Sequence, residues 1–141
     1  MNTIDRFRDA VERRDTAALE PLFAAEPRFF SPVKFRPFEG RDLVLGVFDV
    51  LFRRVFEEFR YAGALEGTAE TAAGGDADSH VLIFRATVGG KEVHGIDLVQ
   101  LDAAGLISEF TVMVRPLSAV NALSEAVFAG LVAEGLVPAP Q

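Results

Sequence analysis

Residues 94–115 read HGIDLVQLDAAGLISEFTVMVR, a pattern that predicts a β-hairpin with one acid inside it. Apolar and polar residues alternate on both sides of the turn at 102–105, as is typical of strands that are buried on one face. On the first strand Asp97 faces the same way as Gly95 and Val99. A carboxylate among apolar neighbours is costly unless it is neutral, paired or used in chemistry. Asp97 is therefore the first candidate for a functional residue.

The composition is that of one domain with a large aromatic content. The chain has 141 residues, of which 50% are hydrophobic, and it holds 13 Phe against one Tyr and no Trp. This length suits a single domain, which we take as residues 1–141, and it lets a chain bury roughly 70% of its unfolded surface. Because Phe brings no polar atom that needs a partner, the set forms either a rich core or the wall of a cavity for an apolar ligand.

Charge and residue usage exclude several kinds of partner and site. The net charge of −7 and the pI of about 4.8 disfavour nucleic acid and anionic membranes as partners. The absence of Cys excludes disulfides and thiolate chemistry. No apolar run approaches the roughly 20 residues that span a bilayer, and charges from Asp5 onward are unlike a signal peptide. We therefore expect a cytoplasmic protein with no membrane or nucleic-acid partner.

Helical patterns come first along the chain and strand patterns follow. Apolar spacing predicts a helix from Ile4 to Val11, a second short helix capped by Asp15, and a third helix whose apolar stripe runs from Val44 to Phe59. A short strand or loop is expected at 28–33 and a connecting turn at 34–40. Strand patterns occupy 59–71, 79–88, 91–101 and 106–115, and a last helix covers 118–134. This order predicts an α+β domain with an antiparallel meander.

Turn lengths predict which residues lie opposite Asp97. With Gly89-Gly90 as a two-residue turn, Leu82 lies opposite Asp97 and His80 opposite Val99. If Leu101 and Leu106 flank the next turn, Phe110 lies opposite Asp97 and Ser108 opposite Val99. Directly opposed side chains are about 5 Å apart and diagonal ones about 7–8 Å. Asp97 is then surrounded by the apolar side chains of Leu82, Phe84 and Phe110. His80 lies diagonally across from it.

Two interpretations of these polar residues stay open. Asp97 is either functional or a strand-end carboxylate bonded to a backbone N–H or to Arg85. His80 is either a rim residue or the acid–base partner of Asp97, since histidine titrates near pH 6.5. A protonated His80 would lower the pKa of Asp97, whereas apolar walls would raise it.

The opposite face of the same strands is too apolar for contact with water alone. We expect a second copy of the chain to cover it, which predicts a homodimer through the outer sheet face. The residues that carry this prediction are Ile83, Ile96, Leu98 and Met113.

Three other sites fail on geometry or on motif. A Ser108–His80–Asp97 triad is excluded because a whole strand separates Ser108 from His80, a gap of about two strand spacings of 4.7–4.9 Å. His80 and His94 face opposite ways, so no metal site is expected. The Gly89-Gly90-Lys91 segment lacks the first Gly and the Ser or Thr of a phosphate loop.

Three segments together resemble the nuclear transport factor 2-like superfamily, which includes ketosteroid isomerase and SnoaL-type polyketide cyclases. Residues 95–114 resemble its final hairpin. Residues 5–33, DRFRDAVERRDTAALEPLFAAEPRFFSPV, resemble its first two helices and first strand, and residues 40–52, GRDLVLGVFDVLF, its third helix. The resemblance implies a cone-shaped, strongly bent antiparallel sheet wrapped around the N-terminal helices, here with an added C-terminal helix.

Carried over by position, the resemblance implies a mixed site. Asp97 falls where the isomerases keep a protonated acid that donates to a developing oxyanion. Their catalytic base falls on Ser31 and their helix-one Tyr on Phe7. A hydroxyl cannot serve as that base at neutral pH and Phe cannot donate, so steroid isomerisation by the family mechanism is not expected.

Two function hypotheses follow from different classes, and a protein adaptor is a weaker third. The first is a cofactor-independent enzyme of the SnoaL or isomerase type, with Asp97 and His80 as catalytic groups and a small apolar ligand in the cone. The second is a non-catalytic ligand-binding or dimerisation module on the same fold. The predicted wall of the cone comprises Phe7, Phe30, Ser31, Phe48, Phe52, Tyr61, Leu82, Phe84, Val99, Ser108, Phe110 and Val112.

Overall fold

A computed structural model describes residues 1–138, and its α+β architecture confirms the predicted class. Four helices are present: α1 (Thr3–Glu12), α2 (Thr16–Leu19), α3 (Arg41–Val50) and α4 (Leu117–Ala133). A 3-10 turn (Glu20–Leu22) follows α2, and a π-helical turn (Leu51–Val55) continues α3. The strands are β1 (Phe23–Phe30), β2 (Phe38–Glu39), β3 (Glu57–Glu70), β4 (Asp76–Val88), β5 (Lys91–Leu101) and β6 (Ile107–Arg115).

The strands form one six-stranded sheet in the order β2-β1-β6-β5-β4-β3. The prediction of an entirely antiparallel sheet needs one correction, because β1 runs parallel to β6. The chain passes through α3 and four further strands (β2 to β5) between β1 and β6, and such a long connection permits parallel pairing. The short β2 lies in the segment that was predicted as a turn.

The inner face of the sheet packs on the helices through aromatic rings. Phe110 of β6 contacts Phe7 of α1 and Phe48 of α3, with ring centroids 5.4 and 5.0 Å apart. Phe48 in turn lies 5.2 Å from Phe29 of β1. These rings are buried, and ring pairs of this geometry stabilise a core beyond their area alone.

The register between β4 and β5 is as predicted, and the register between β5 and β6 differs by two residues. Leu82 lies opposite Asp97. Val112, not Phe110, lies opposite Asp97 on the other side, and Phe110 lies opposite Val99. The turn causes one residue of the difference, because Asp102 N–H bonds to the Leu106 carbonyl (2.8 Å) around a three-residue loop. A bulge in β6 where the register shifts causes the other, and a shift of two leaves every side chain on its predicted face.

The far end of the β3–β4 hairpin folds over the outer face of the sheet. Gln100 of β5 donates to the carbonyls of Ala69 and Glu70, both at 3.3 Å. Glu109 of β6 accepts from the Ala72 N–H at 2.9 Å. Gln100 and Glu109 are almost fully buried as a result, so this hairpin end covers part of the face on which we expected a second copy.

Helix α4 closes over the cone of its own chain. Its last turn is anchored by Glu134, which accepts from Arg54 Nε at 2.9 Å and also pairs with Arg53. Gly130 lies so close to Val50 that a β-carbon there would stand 2.5 Å from Val50 Cγ1. Within residues 1–138, no helix combines the length and the apolar character needed to cross a membrane.

Candidate functional site

A cavity lies between the inner face of the sheet and helices α1, α3 and α4. The volume of this cavity is about 50 Å³, which is room for one to a few water molecules. Its wall is almost entirely apolar and includes seven Phe side chains. The polar or charged side chains in the wall are Arg14, Ser31, Tyr61 and Asp97.

Asp97 and Tyr61 form a hydrogen-bonded pair in this wall. The Tyr61 hydroxyl, from β3, reaches across β4 and donates to Asp97 Oδ2 on β5 at 2.7 Å. Asp97 is 6% exposed. Its other oxygen, Oδ1, has no hydrogen-bond partner among residues 1–138. Every fully buried side-chain oxygen and nitrogen in these residues has a partner, so Oδ1 is not fully buried. Oδ1 is therefore the atom that remains open to a small molecule in the cavity.

Burial dominates the ionisation of this pair. It raises the pKa of Asp97 from 3.8 to about 7, although the Tyr61 hydrogen bond opposes the rise. The pKa of Tyr61 is raised well above 10, first by burial and then by the Asp97 charge. Tyr61 therefore stays neutral and donates, whereas Asp97 exchanges its proton near neutral pH. Such a carboxyl can act as either acid or base.

Half of the predicted wall residues line the cavity. Those that do are Ser31, Phe48, Phe52, Tyr61, Phe110 and Val112. The other six do not line it: Phe7, Phe30, Leu82, Phe84, Val99 and Ser108.

The residues that miss the cavity have definite places elsewhere. Phe7 is a fully buried core ring, and Phe84 stacks on Phe59 at 5.0 Å. Phe30 lines a groove on the outer face of the sheet. Ser108 donates to the Gln100 carbonyl at 3.3 Å. The two remaining residues, Leu82 and Val99, are fully buried on the inner face, beneath other side chains.

The predicted approach of His80 to Asp97 is corrected by the structure. His80 Nε2 lies 3.1 Å from Asp78 Oδ1, and its Nδ1 lies 3.9 Å from Glu66 Oε2. His80 alternates with Leu82 as predicted, but it lies toward the turn of the β3–β4 hairpin, opposite Glu66, and does not line the cavity. Tyr61, not His80, is the partner of Asp97.

Ser31 does not replace the missing isomerase base. Its Oγ accepts long hydrogen bonds from the backbone N–H groups of Val33 (3.4 Å) and Lys34 (3.3 Å). This arrangement is a Ser turn that shapes the loop after β1. The hydroxyl oxygen is thus engaged with its own loop, where it helps to form the rim of the cavity.

Several wall residues were not predicted from the sequence. Phe56 and Phe59 enter because the π-helical turn ends α3 early and starts β3 at Glu57. Leu123 and Val127 enter from α4. Arg14 enters at the end of α1, where the helix stripe alone gives no signal. The side chains missed were Val11, Arg14, Phe29, Pro32, Val33, Phe38, Val47, Leu51, Phe56, Phe59, Leu123 and Val127.

Over residues 1–138, no group of three or more His, Asp or Glu side chains is placed to hold a metal ion. The chemistry available in the wall is therefore that of a carboxyl, a phenol, a hydroxyl and a guanidinium.

Comparison with other proteins identifies relatives along almost the whole chain. No protein-family model and no curated protein matches it. Among solved structures, a steroid delta-isomerase from Pseudomonas aeruginosa is 33% identical, with 96% of this chain and 93% of that chain covered and a TM-score of 0.82. An uncharacterized protein with a cystatin-like fold from Silicibacter pomeroyi is 31% identical, with 95% and 88% covered and a TM-score of 0.83.

A more distant structure shows the same fold. It is a nuclear transport factor 2-like protein of unknown function from Mesorhizobium loti, 20% identical, with 81% of this chain and 88% of that chain covered and a TM-score of 0.66. The two relatives above 30% identity cover almost the whole chain. The order of helices and strands and the cavity between them agree with the same fold. The chain belongs to the nuclear transport factor 2-like family of cystatin-like fold proteins.

Proposed function

We propose that this protein is a cofactor-independent enzyme of the isomerase or cyclase type, which moves a proton on a small apolar ligand through Asp97. The observation that carries the proposal is the pairing of Asp97 with Tyr61 in an apolar wall, with Oδ1 open to the cavity. A carboxyl whose pKa lies at about 7 is present in both protonation states at neutral pH, which is what proton transfer in both directions requires.

The proposed step uses Asp97 Oδ1 alone as the proton carrier. As a carboxylate, Oδ1 accepts a proton from a carbon next to a ligand carbonyl, and the C–H electron pair becomes the enolate. As an acid, it returns that proton to another carbon of the same ligand, and the carboxylate is restored. The Tyr61 hydroxyl remains on Oδ2, where it steadies the carboxylate and sets its orientation.

The size of the cavity favours a compact ligand. Ligand pockets in general measure about 300–1,000 Å³, whereas this cavity offers about 50 Å³. Even a single ring requires side chains at the wall to move, and a four-ring steroid requires much more. We therefore infer a monocyclic ketone as the ligand class, although one relative is named a steroid delta-isomerase.

The direct test is turnover of a small β,γ-unsaturated cyclic ketone, cyclohex-3-enone, followed by the ultraviolet absorbance of the conjugated product. We expect a rate above the buffer rate that rises as Asp97 ionises, and a loss of about 100-fold or more in Asp97→Asn. Asp76→Asn, which changes an exposed aspartate of β4, is the matched control and should retain the full rate. Equal rates in wild type and Asp97→Asn would contradict the proposal.

A non-catalytic binder is the second candidate function, favoured by one observation. By the sequence resemblance, Phe7 and Ser31 fall at the positions at which the isomerases keep a hydroxyl donor and a base, and neither residue type supplies those groups. Saturable binding of the same ketone by wild type and by Asp97→Asn, without turnover by either, would support this second function and refute the first.

A further inference from the structure

We infer that Arg14 is an anion anchor at the mouth of the cavity, and that the ligand is an organic acid with a compact apolar body. One end of such a ligand carries a carboxylate for Arg14, and the other carries an oxo or hydroxyl group for Asp97. The Asp97 end of this inference rests on the proposed function, whereas the Arg14 end rests on the observations that follow.

Arg14 is held at the mouth by an unusual backbone conformation. Its φ is +54°, in the left-handed region that favours glycine, directly after the end of α1. The Arg14 N–H bonds to the Val11 carbonyl at 3.0 Å, and the Asp15 N–H bonds to the Ala10 carbonyl at 2.9 Å, which closes the helix end. A long charged residue thus stands where glycine would be the easier choice. Strain of this kind concentrates at functional sites.

The π-helical turn after α3 fixes the guanidinium against the cavity wall. In that turn the Phe56 N–H bonds to the Leu51 carbonyl at 3.0 Å, so it does not serve the Phe52 carbonyl as it would in an α-helix. Arg14 Nη1 donates to the Phe52 carbonyl instead, at 2.8 Å. This contact uses one of the five N–H donors of the guanidinium, and within residues 1–138 Arg14 makes no other side-chain hydrogen bond.

Two acids near the end of α1 are paired with the neighbouring arginine. Arg13 pairs with Asp9 at 2.9 Å and with Asp15 at 3.1 Å. Within residues 1–138, Arg14 has no carboxylate within ion-pair distance, although the chain holds 21 Asp and Glu against 14 Lys and Arg. Among residues 1–138, Arg14 and Asp97 are the two charged side chains of the wall, and most of the other lining residues are apolar.

This arrangement matches one chemical class of ligand. Arg14 is exposed as well as part of the wall, as is Val33 in the loop after β1, so the cavity meets solvent beside Arg14. A guanidinium with free donors pairs best with a carboxylate. An apolar ring would then fill the space between the carboxylate and the group at Asp97.

Matched acids and amides test the inference directly. The probes are para-hydroxyphenylacetate and para-hydroxyphenylpropanoate, each compared with its neutral primary amide by calorimetry or by NMR shift titration. We expect the better-fitting acid to bind wild type about tenfold more tightly than its amide, a ratio typical of one partly hydrated charge-assisted contact. In Arg14→Gln the ratio should fall to about one, and in Arg14→Lys, which keeps the charge without the planar fork, an intermediate ratio should remain.

Controls separate a local anchor from general charge and from the proposed function. Arg6→Gln removes an exposed charge from the same helix and should leave the ratio unchanged. An unchanged ratio in Arg14→Gln, or no binding of either acid to wild type, would overturn the inference. Binding of the amides reports the Asp97 end alone. If cyclohex-3-enone turns over equally in wild type and Asp97→Asn while Arg14→Gln abolishes the acid preference, the proposed function fails and the anion anchor stands.

Discussion

The ring of Phe84 lies directly against the backbone of Gly95 on the neighbouring strand. A β-carbon on Gly95 would stand 2.5 Å from Phe84 Cζ and 2.7 Å from the Met113 carbonyl oxygen. Gly95 precedes Asp97 on the same face of β5, and Tyr61 lies opposite Phe84 on the other side. The missing side chain at Gly95 therefore makes room for the Phe84 ring on the strand that separates Tyr61 from Asp97.

Gly95→Ala should destabilise the protein by about 1–3 kcal/mol, because the added methyl group meets a ring and a backbone carbonyl that cannot both move away. Urea denaturation measures the loss. Gly63→Ala on β3 is the matched control, since its β-carbon would meet Ile83 at an ordinary 3.7 Å. Equal stabilities of the two variants would show that Phe84 can leave Gly95 at little cost.

Asp97→Asn should change how stability depends on pH. The folded protein keeps the Asp97 proton up to about pH 7, whereas the unfolded chain releases it near 3.8. The folded state therefore binds more protons between these values, and its free energy of unfolding falls as pH rises through them. The difference corresponds to at most about 4 kcal/mol above pH 7. Asp97→Asn should lack this loss in urea denaturation series, and Asp76→Asn should retain it.

Tyr61→Phe should raise the pKa of Asp97 above its value of about 7, because the Tyr61 hydrogen bond is the contact that lowers it. It should also cost about 1 kcal/mol of stability, since Asp97 Oδ2 loses its donor. Carbon NMR of the Asp97 carboxyl measures the pKa directly. The same substitution in an Asp97→Asn background gives the coupling energy of the pair. A lower pKa in Tyr61→Phe would mean that the hydroxyl does not stabilise the carboxylate.

Glu109→Gln should loosen the far end of the β3–β4 hairpin. Glu109 is 4% exposed, pairs with Arg28 at 2.9 Å and accepts from two backbone N–H groups, those of Ala72 and Ala73. Loss of the Glu109 charge should lower the free energy of unfolding by about 1–3 kcal/mol. The loss is smaller than for a fully buried ion pair because Arg28 can partly rehydrate. Hydrogen exchange at the Ala72 and Ala73 amides should accelerate. Glu92→Gln, an exposed change on β5, is the control. If these amides exchange as slowly in Glu109→Gln as in Glu92→Gln, the Glu109 charge is not needed to hold the hairpin end.

Homodimerisation through the outer sheet face stays a prediction, and Met113 offers the means to test it. Met113 is 53% exposed, and Ile83, Ile96 and Leu98 beside it are half-buried. Met113→Asp should convert a dimer to a monomer in analytical ultracentrifugation, because it places a charge in an apolar contact. Phe128→Asp, a similar change at a 47% exposed position on α4, away from the outer sheet face, should not. A monomeric wild type would refute this interface.

Local patterns predicted much of the fold, and failed where geometry beyond them decides. Strict alternation placed Asp97 on the inner face, and the two-residue Gly89-Gly90 turn determined the β4–β5 register. The β5–β6 register was missed because a three-residue loop and a bulge each add a residue, which the sequence near Ser108 does not signal. The cytoplasmic location and the absence of a cofactor, both expected from the sequence, stay predictions.

Contacts across several strands were the hardest part of the site to predict. Strand alternation puts His80 on the inner face but does not show where the helices stop covering that face. Tyr61 reaches Asp97 from two strands away, through a register shift within β3. Arg14 depends on a left-handed residue and on a π-helical turn, and neither has a pattern of apolar spacing.

The parallel pairing of β1 with β6 bears on how the chain acquires this site during synthesis. β1 ends at Phe30, whereas its partner β6, in the middle of the sheet, begins only at Ile107. During most of synthesis, therefore, β1 can pair only with the short β2. Such high contact order slows folding and exposes strand edges meanwhile. Arg14 directly follows α1 and Asp97 lies on β5, so these two residues of the cavity wall can come together only after most of the chain has been made.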